Sequence, residues 1–315
     1  MYFLGIDTSN YVTSMAIVRA EPEGIYRLHW EKRIILEVIK GGKGLRQAEA
    51  VFQHVRNMPL LWEEAARHLP EGKLYGIAAS TRPRPAEGSY MPVFQAGTSF
   101  AESAAFMLKV PYYAYSHQEG HLLTGLWSSG CGAEHFLALH LSGGTTEAML
   151  IKNRAAGNLE IKLLGGTTDL NAGQFVDRAG VKLGFSFPAG KELEALAARS
   201  KEGGIKVPVS VNRYDVSFSG PATFVERAID KSVPGEEVAR GVEICLAHSF
   251  LEVLRNLARD TEIVDVLVVG GIAANAFVRR RLVEGLPSLN FFFPAPSFAG
   301  DSAIGPALLS AYNRK

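Results

Sequence analysis

The chain has 315 residues, 47% hydrophobic and 21% charged, which is the balance of an ordinary soluble globular protein and excludes a disordered or fibrous one. Its 33 Lys and Arg against 32 Asp and Glu leave a formal charge of +1, so a global electrostatic grip on nucleic acid or membrane is excluded, though a local basic patch is not. Two cysteines, Cys131 and Cys245, with no CxxC pair, exclude a cysteine-based zinc knuckle.

The opening MYFLGIDTSN enters a strand pattern at once, so no signal peptide is expected. No apolar run approaches the ~20 residues of a membrane helix, and the expected location is cytoplasmic without a membrane partner. Phe3–Asp7 reads as a buried strand, Thr13–Ala20 as its hairpin partner, Glu21–Gly24 as a turn and Ile25–Leu36 as a third extended segment. Ala48–His68 has helical periodicity through Val51, Val55, Leu60, Leu61 and Ala65. His54 and His68 on that helix read as surface or core-edge residues. Tyr75–Ser80 is a strand, Phe100–Leu108 a helix with Ser99 as its N-cap, and Tyr112–Ser116 a strand.

The pattern then restarts. Phe136–Leu141, Thr146–Lys152 and Leu159–Leu164 read as strands, and Asn171–Leu183, Glu192–Arg199 and Glu236–Arg259 as helices. Val264–Val269 is an apolar strand, Ala276–Glu284 a helix, Asn290–Phe293 a strand and Ser302–Asn313 a closing helix. Phe3-Leu4-Gly5-Ile6-Asp7-Thr8-Ser9 lies over Phe136-Leu137-Ala138-Leu139-His140-Leu141-Ser142 at a spacing of 133 residues, and Thr13 then meets Thr146. We read this as a duplicated α/β lobe, with a cleft between the copies as the expected ligand site.

Five strings carry the polar chemistry. In His117-Gln118-Glu119-Gly120-His121 the two imidazoles share a helix face four residues apart and can bind one transition metal, but they need a third, distant ligand. The alternative is a pair of surface or capping histidines; the other histidines, His140 among them, read as scattered. Ser142-Gly143-Gly144-Thr145-Thr146 is either an anion-binding nest or a plain hairpin turn. Val268-Val269-Gly270-Gly271 running to Asn275 is a strand-to-helix crevice of the nucleotide-binding kind, or a tight turn with Asn275 as N-cap. Asp177, in Asp169–Asp177, is a ribose-binding carboxylate or a solvated helix acid. Asp301, in Gly300-Asp301-Ser302, reads on its own as an N-cap.

Taken together and in order, these strings resemble the TsaD family, also called glycoprotease-like. The opening Phe3–Ser9 is similar to the family's I-x-G-I-E-T-S, and His117–His121 to its H-x-x-G/A-H. Leu141–Thr146 resembles V-S-G-G-H/N-T, Asp169–Asp177 resembles D-D-A-A-G-E-A-F-D, and Leu183–Gly190 resembles L-G-x-x-Y-P-G-G. Further on, Val216–Gly220 matches F-S-F-S-G, Gly270–Asn275 matches G-G-V-A-A-N, and Ala299–Ser302 matches C-T-D-N. The resemblance implies two RNase H-like lobes of the actin/Hsp70-like ATPase superfamily: residues 1–115, with 302–315 packing back on them, and 116–301. It implies one divalent metal, iron or zinc, on His117, His121 and Asp301. It implies an adenine nucleotide or threonylcarbamoyl-adenylate held by Leu141, Ser142, Gly143, Gly144, Asp177, Gly190, Glu194, Gly271 and Asn275, with Asp7, Ser9 and Ser142 nearest the chemistry. The implied reaction transfers threonylcarbamoyl to N6 of an adenosine beside the tRNA anticodon. The implied partners are tRNA, a metal-free TsaB-like paralogue and a small ATPase; a homodimer stays open.

The chain departs from the family on the reaction side. Asn10-Tyr11-Val12-Thr13 lacks the family's acidic pair, and Thr81-Arg82-Pro83-Arg84-Pro85 replaces T-R-G-P-G. Pro221-Ala222-Thr223 replaces L-K-T, and Thr145 stands where His or Asn is usual. These departures mark a divergent paralogue. They keep two other readings in play: a catalytically impaired nucleotide-binding scaffold, and a carbamoyl or phosphoryl transferase acting on a small molecule. Peptidase activity is disfavoured, since Glu119 is the only local candidate base.

Overall fold

The computed structural model describes residues 1–9, 11–38, 44–154 and 157–313. Strands β1 (Tyr2–Asp7), β2 (Val12–Ala20) and β3 (Tyr26–Ile35) form an antiparallel meander. Helix α1 (Gln47–His68), strand β4 (Leu74–Arg82), helix α2 (Phe94–Leu108) and strand β5 (Tyr112–Ser116) follow. β4 pairs parallel to β1 and β5 parallel to β4, so the sheet order is β3-β2-β1-β4-β5.

After helix α3 (His117–Ser129) the same plan recurs with β6 (His135–Leu141), β7 (Thr146–Arg154) and β8 (Asn158–Gly166). Helices α4 (Ala172–Lys182) and α5 (Gly190–Ala197), the short ribbon β9 (Val211–Asn212) and β10 (Asp215–Val216), and helices α6 (Ser219–Asp230) and α7 (Gly235–Thr261) come next. Strand β11 (Asp265–Val269), helix α8 (Ala276–Gly285), strand β12 (Asn290–Phe292) and helix α9 (Ile304–Tyr312) complete the chain. The second sheet runs β12-β11-β6-β7-β8, with the same parallel and antiparallel pairings as the first. Even the register repeats: Gly5 faces Ala16, and 133 residues on Ala138 faces Met149. The duplication read from the sequence is therefore a duplication of structure, two mixed α/β sheets in the two-lobe architecture expected.

Period-two alternation sorts the side chains of each strand onto two packed faces. Met15 and Ile17 of β2 meet α1 and α2, whereas Ala16 and Val18 meet Ala303, Ile304, Ala307 and Leu308 at the head of α9. In β6, Leu137, Leu139 and Leu141 face the core built by α4 to α7, while Phe136 and Ala138 face Leu122 and Leu126 of α3. The last helix thus packs on the first sheet, and α3 lies between α9 and β11.

Several expectations need correction. α2 begins at Phe94, so Ser99 is interior and caps nothing; buried Val93 and Phe94 anchor an earlier start. In α1 the buried face is Ala50, Gln53, His54, Asn57, Met58, Leu61 and Ala65, while Val55 and Leu60 are exposed. His54 is fully buried with its Nδ1 2.9 Å from Thr13 Oγ1, so it is a core residue and not a surface one. α6 is an additional helix whose Ser-Gly-Pro start masks its periodicity. α9 begins at Ile304 with Ala303 as N-cap, which frees Asp301 from that duty. Asn10, Arg314 and Lys315, which fall in expected segments, lie outside the described residues.

The closest backbone approach is that of α9 to α3. A Cβ on Gly305 would lie 2.1 Å from the Gly120 carbonyl oxygen. Gly305→Ala forces the two helices apart and is expected to destabilise the protein by about 1–3 kcal/mol, as over-packing does elsewhere. A lower denaturation midpoint at unchanged denaturant slope would be the reading.

Candidate metal centre and ligand cleft

α3 starts where β5 ends. Ser116 caps it: its Oγ accepts from Glu119 N–H (3.2 Å), and Glu119 Oε2 accepts from Ser116 N–H (2.7 Å). That capping box commits Glu119 to the helix terminus, away from any role as a base. It also fixes the first two turns, so His117 and His121 project from one face. Their Nε2 atoms lie 3.1 Å apart. Asp301, 180 residues further on, brings Oδ1 to 3.2 Å from His121 Nε2 and 3.6 Å from His117 Nε2.

A cation with bonds of about 2.0–2.1 Å holds tetrahedral ligand atoms roughly 3.3–3.4 Å apart, so these three edges fit one face of such a polyhedron. The donor set, two imidazoles and a carboxylate, suits a zinc- or iron-class ion with a position left open. Behind the ring, His117 Nδ1 lies 2.9 Å from Asp7 Oδ2. That contact places the proton on Nδ1 and turns the Nε2 lone pair toward the other donors, the usual support of a metal-binding histidine. Asp7 is itself held by Ser9, whose N–H (2.8 Å) and Oγ–H both donate to Oδ1.

Burial opposes charge on His117, but Asp7 and Asp301 outweigh it and raise its pKa. Burial likewise opposes the Asp7 carboxylate, and His117 outweighs it, so the Asp7 pKa is lowered. His121 moves the other way, lowered by burial and by the neighbouring His117.

The Ser142–Thr145 turn closes on itself: Ser142 N–H donates to Thr145 O (2.7 Å) and Thr145 N–H to Ser142 Oγ (3.1 Å). The Gly143 and Gly144 amides have no acceptor among the described residues, which is the condition for an anion nest. Leu141 ends the strand before the turn and is buried. The head of α4 presses on the turn so closely that a Cβ on Gly173 would lie 2.6 Å from Gly143 N.

Beyond it, Gly143, Gln174, Asp177, Arg178, Val181, Phe187 and Tyr11 enclose a cavity of about 110 Å³. Asp177 Oδ1 accepts from Ala189 N–H (2.9 Å), next to Gly190 at the start of α5. Asn275 caps α8 through Val278 N–H (2.8 Å) and donates to Glu243 (2.7 Å). Glu194 accepts from Ala276 N–H (2.8 Å), and Gly271 opens the exposed turn between β11 and α8. Both side-chain groups of Asn275 are thus already engaged in the fold.

A family model described as tRNA N6-adenosine threonylcarbamoyltransferase matches residues 37–308. The chain belongs to the TsaD family. A curated relative of that name from Thermus thermophilus is 32% identical over 98% of this chain and 91% of its own, and one from Aromatoleum aromaticum is 31% identical over 99% and 91%. Among solved structures, HypF from T. kodakarensis superposes with a TM-score of 0.63 at 14% identity, covering 99% of this chain and 47% of that one. Component A of Acidaminococcus fermentans (R)-2-hydroxyglutaryl-CoA dehydratase superposes at 0.58 and 18%, covering 99% and 98%. A Streptomyces griseus ROK-family glucokinase gives 0.55 and 12%, covering 99% of each. These identities speak for the fold alone, the two-lobe actin/Hsp70-like ATPase architecture.

Two of the segments in which the sequence departs from the TsaD pattern make contacts from the first sheet's side to the second's. Tyr11, in place of an acid, puts its ring edge-on to Phe187 with centroids 4.7 Å apart. Arg84, from the proline-rich replacement loop, makes a 2.5 Å ion pair with buried Glu147. Gln118, between the two histidines, also donates to Glu147, and its N–H binds Pro83 O (3.1 Å). Sequence reasoning missed Glu147, Gln118 and His140. His140 is a correction: far from scattered, its ring lies 4.5 Å from that of His121. The 133-residue repeat carried the signal, because it sets His140 over Asp7.

Burial pushes Asp177 from 3.8 up to about 6. The folded protein therefore holds a proton that the unfolded chain has already released, and stability falls as pH rises from about 4 to about 6. Asp177→Asn keeps the acceptor for Ala189 and removes that loss. It is expected to raise stability by about 1–2 kcal/mol at pH near 8, after discounting for partial exposure, and to give no gain near pH 4; melting curves at the two pH values decide.

Proposed function

We propose that the protein is a threonylcarbamoyl transferase acting on tRNA in the cytoplasm, moving the acyl group from its adenylate to N6 of an adenosine next to the anticodon. The observation that carries the reading is the convergence of His117, His121 and Asp301 within 4.8 Å of one another, in a chain of the TsaD family. These three residues would hold the metal, with iron and zinc as the candidates; a bound divalent ion would supply Lewis acidity and a template for acyl oxygens. The protein's own part is positioning. Asp7, held by Ser9, orients His117 beside the acyl group. The unpaired Gly143 and Gly144 amides offer donors to a phosphate or a developing oxyanion, with Ser142 fixing the turn that carries them. Asp177 lies where a ribose hydroxyl would find an acceptor, whereas Asn275 and Glu194 contribute by holding α8 against α5.

The cavity beside Asp177 holds about 110 Å³, below the ~300 Å³ at which ligand pockets begin. Nucleotide entry therefore requires Tyr11 and Phe187 to part. tRNA would arrive through a TsaB-like paralogue and a small ATPase, because a chain of charge +1 has little general hold on a polyanion. The second reading, a nucleotide-binding scaffold, is favoured by one observation, the loss of the acidic pair to Tyr11 and Val12.

The deciding assay combines the purified protein and partner proteins with threonylcarbamoyl-adenylate, ATP and unmodified tRNA, followed by mass spectrometry of the nucleosides. The proposed reaction gives threonylcarbamoyladenosine with the wild type and at least about a hundredfold less with His121→Ala. Product-free tRNA with normal nucleotide binding sinks the transferase reading in favour of the scaffold. Separately, Asp7→Asn is expected to weaken divalent metal binding about 10–100-fold, the usual effect of removing the carboxylate behind a metal-binding histidine; chelator competition measures it.

A further inference from the structure

Strand alternation turns His140 away from the Leu137–Leu139–Leu141 face of β6 and toward α3. The side chain is 1% exposed. Its ring centroid is 4.5 Å from that of His121 and 6.3 Å from that of His117. Neither ring nitrogen has a hydrogen-bond partner among the described residues. In either protonation state the ring carries at least one N–H donor, and both of its nitrogens are buried and unmet. Such a residue bears the full desolvation penalty of both groups, which a leucine at the same place in the sheet would avoid. A partner beyond the protein would remove the penalty.

The position of that partner follows from two facts. His140 is not one of the three residues whose ligand atoms lie within 4.8 Å of one another, so it stands one step back from a cation held there. Its counterpart in the first lobe, Asp7, backs His117 from the equivalent strand position. The pocket around the three donors is thus flanked by a polar side chain from each sheet, and only the first-lobe one is satisfied by protein.

We infer that His140 is a positioning residue for the non-protein ligand of the metal centre, donating its N–H to the carbonyl, carboxylate or other anionic donor that fills the coordination position left open by His117, His121 and Asp301. The inference rests on the metal reading above. It gives the acyl side of the reaction a donor in addition to the amides of the glycine turn.

The test uses the full chain loaded with cobalt(II), with azide as the probe of the open position. The wild type is expected to bind cobalt with a visible spectrum that azide perturbs. His140→Leu is expected to keep cobalt affinity within about threefold, since all three protein donors remain, and to weaken azide binding by about tenfold or more, the loss of one hydrogen bond to a charged group. His140→Gln, which restores an N–H, is expected to recover most of the azide affinity. Circular dichroism and melting curves establish that both variants fold. Unchanged azide binding in folded His140→Leu overturns the inference while leaving the metal reading intact. A hundredfold loss of cobalt affinity in that variant also overturns it, because His140 would then be a direct ligand. A wild type that takes up no cobalt refutes the metal reading, and the inference with it.

Discussion

The crossing of α3 and α9 is the constraint on which the rest of the molecule depends. α3 carries both imidazoles, but it starts the second half of the chain, and the carboxylate that joins them belongs to a segment 180 residues later. Only a contact at backbone distance can hold those two segments in one place. Gly305 over Gly120 supplies it, with no room for a Cβ on Gly305. The capping box at Ser116 and Glu119 then sets the rotation of α3 about its axis, and the Asp7 contact sets the rotation of the His117 ring. Each of these works on a different degree of freedom: separation, helix phase and side-chain torsion.

The duplication gives the site its plan. Each sheet presents the C-terminal end of its first strand to the same space, Asp7 from one and His140 from the other. In a fold made of two copies, equivalent positions face the interface with opposite obligations, and selection on a site between them acts on both. The two copies have diverged accordingly. The first ends its strand with a carboxylate buttressed by Ser9. The second carries an imidazole one residue before its end at Leu141 and passes into a turn whose amides are open. One lobe thus orients the His117 ring, and the other leaves backbone donors open.

Most of the fold was legible, because apolar strands and their spacing are local signals and the repeat could be checked residue against residue. Tyr112–Ser116 was read to the residue, and the second hairpin to within two. What failed was failure of one-dimensional pattern against tertiary burial. Thr98 and Ser99 look like a helix start, yet α2 runs through them because Phe94 and Ala96 are buried before them. His54 looks polar on an amphipathic helix, yet it is drawn inside by Thr13 and Asn57. The metal triad was legible only through family likeness: an i, i+4 histidine pair is a half-signal, and no spacing rule links it to Asp301. Glu147 and Gln118 left no signal at all, since a buried acid paired across two lobes looks in sequence like any strand-end glutamate.

The chain's departures from the TsaD pattern share a physical consequence. Replacing an acid by Tyr11 and a glycine-rich stretch by Pro83-Arg84-Pro85 removes charge and flexibility from the first lobe's edge of the cleft. In their place stand two contacts that span the cleft, an aromatic pair and an ion pair to a buried carboxylate. Burial raises the Glu147 pKa and Arg84 opposes that rise, so the pair is worth most when the cleft is shut and Glu147 is dry; opening it would leave the acid in water and the arginine free. The same substitutions that subtract family chemistry therefore add cohesion between the lobes. Both contacts favour the arrangement of the lobes seen in the structure, and they leave the three converging donors untouched.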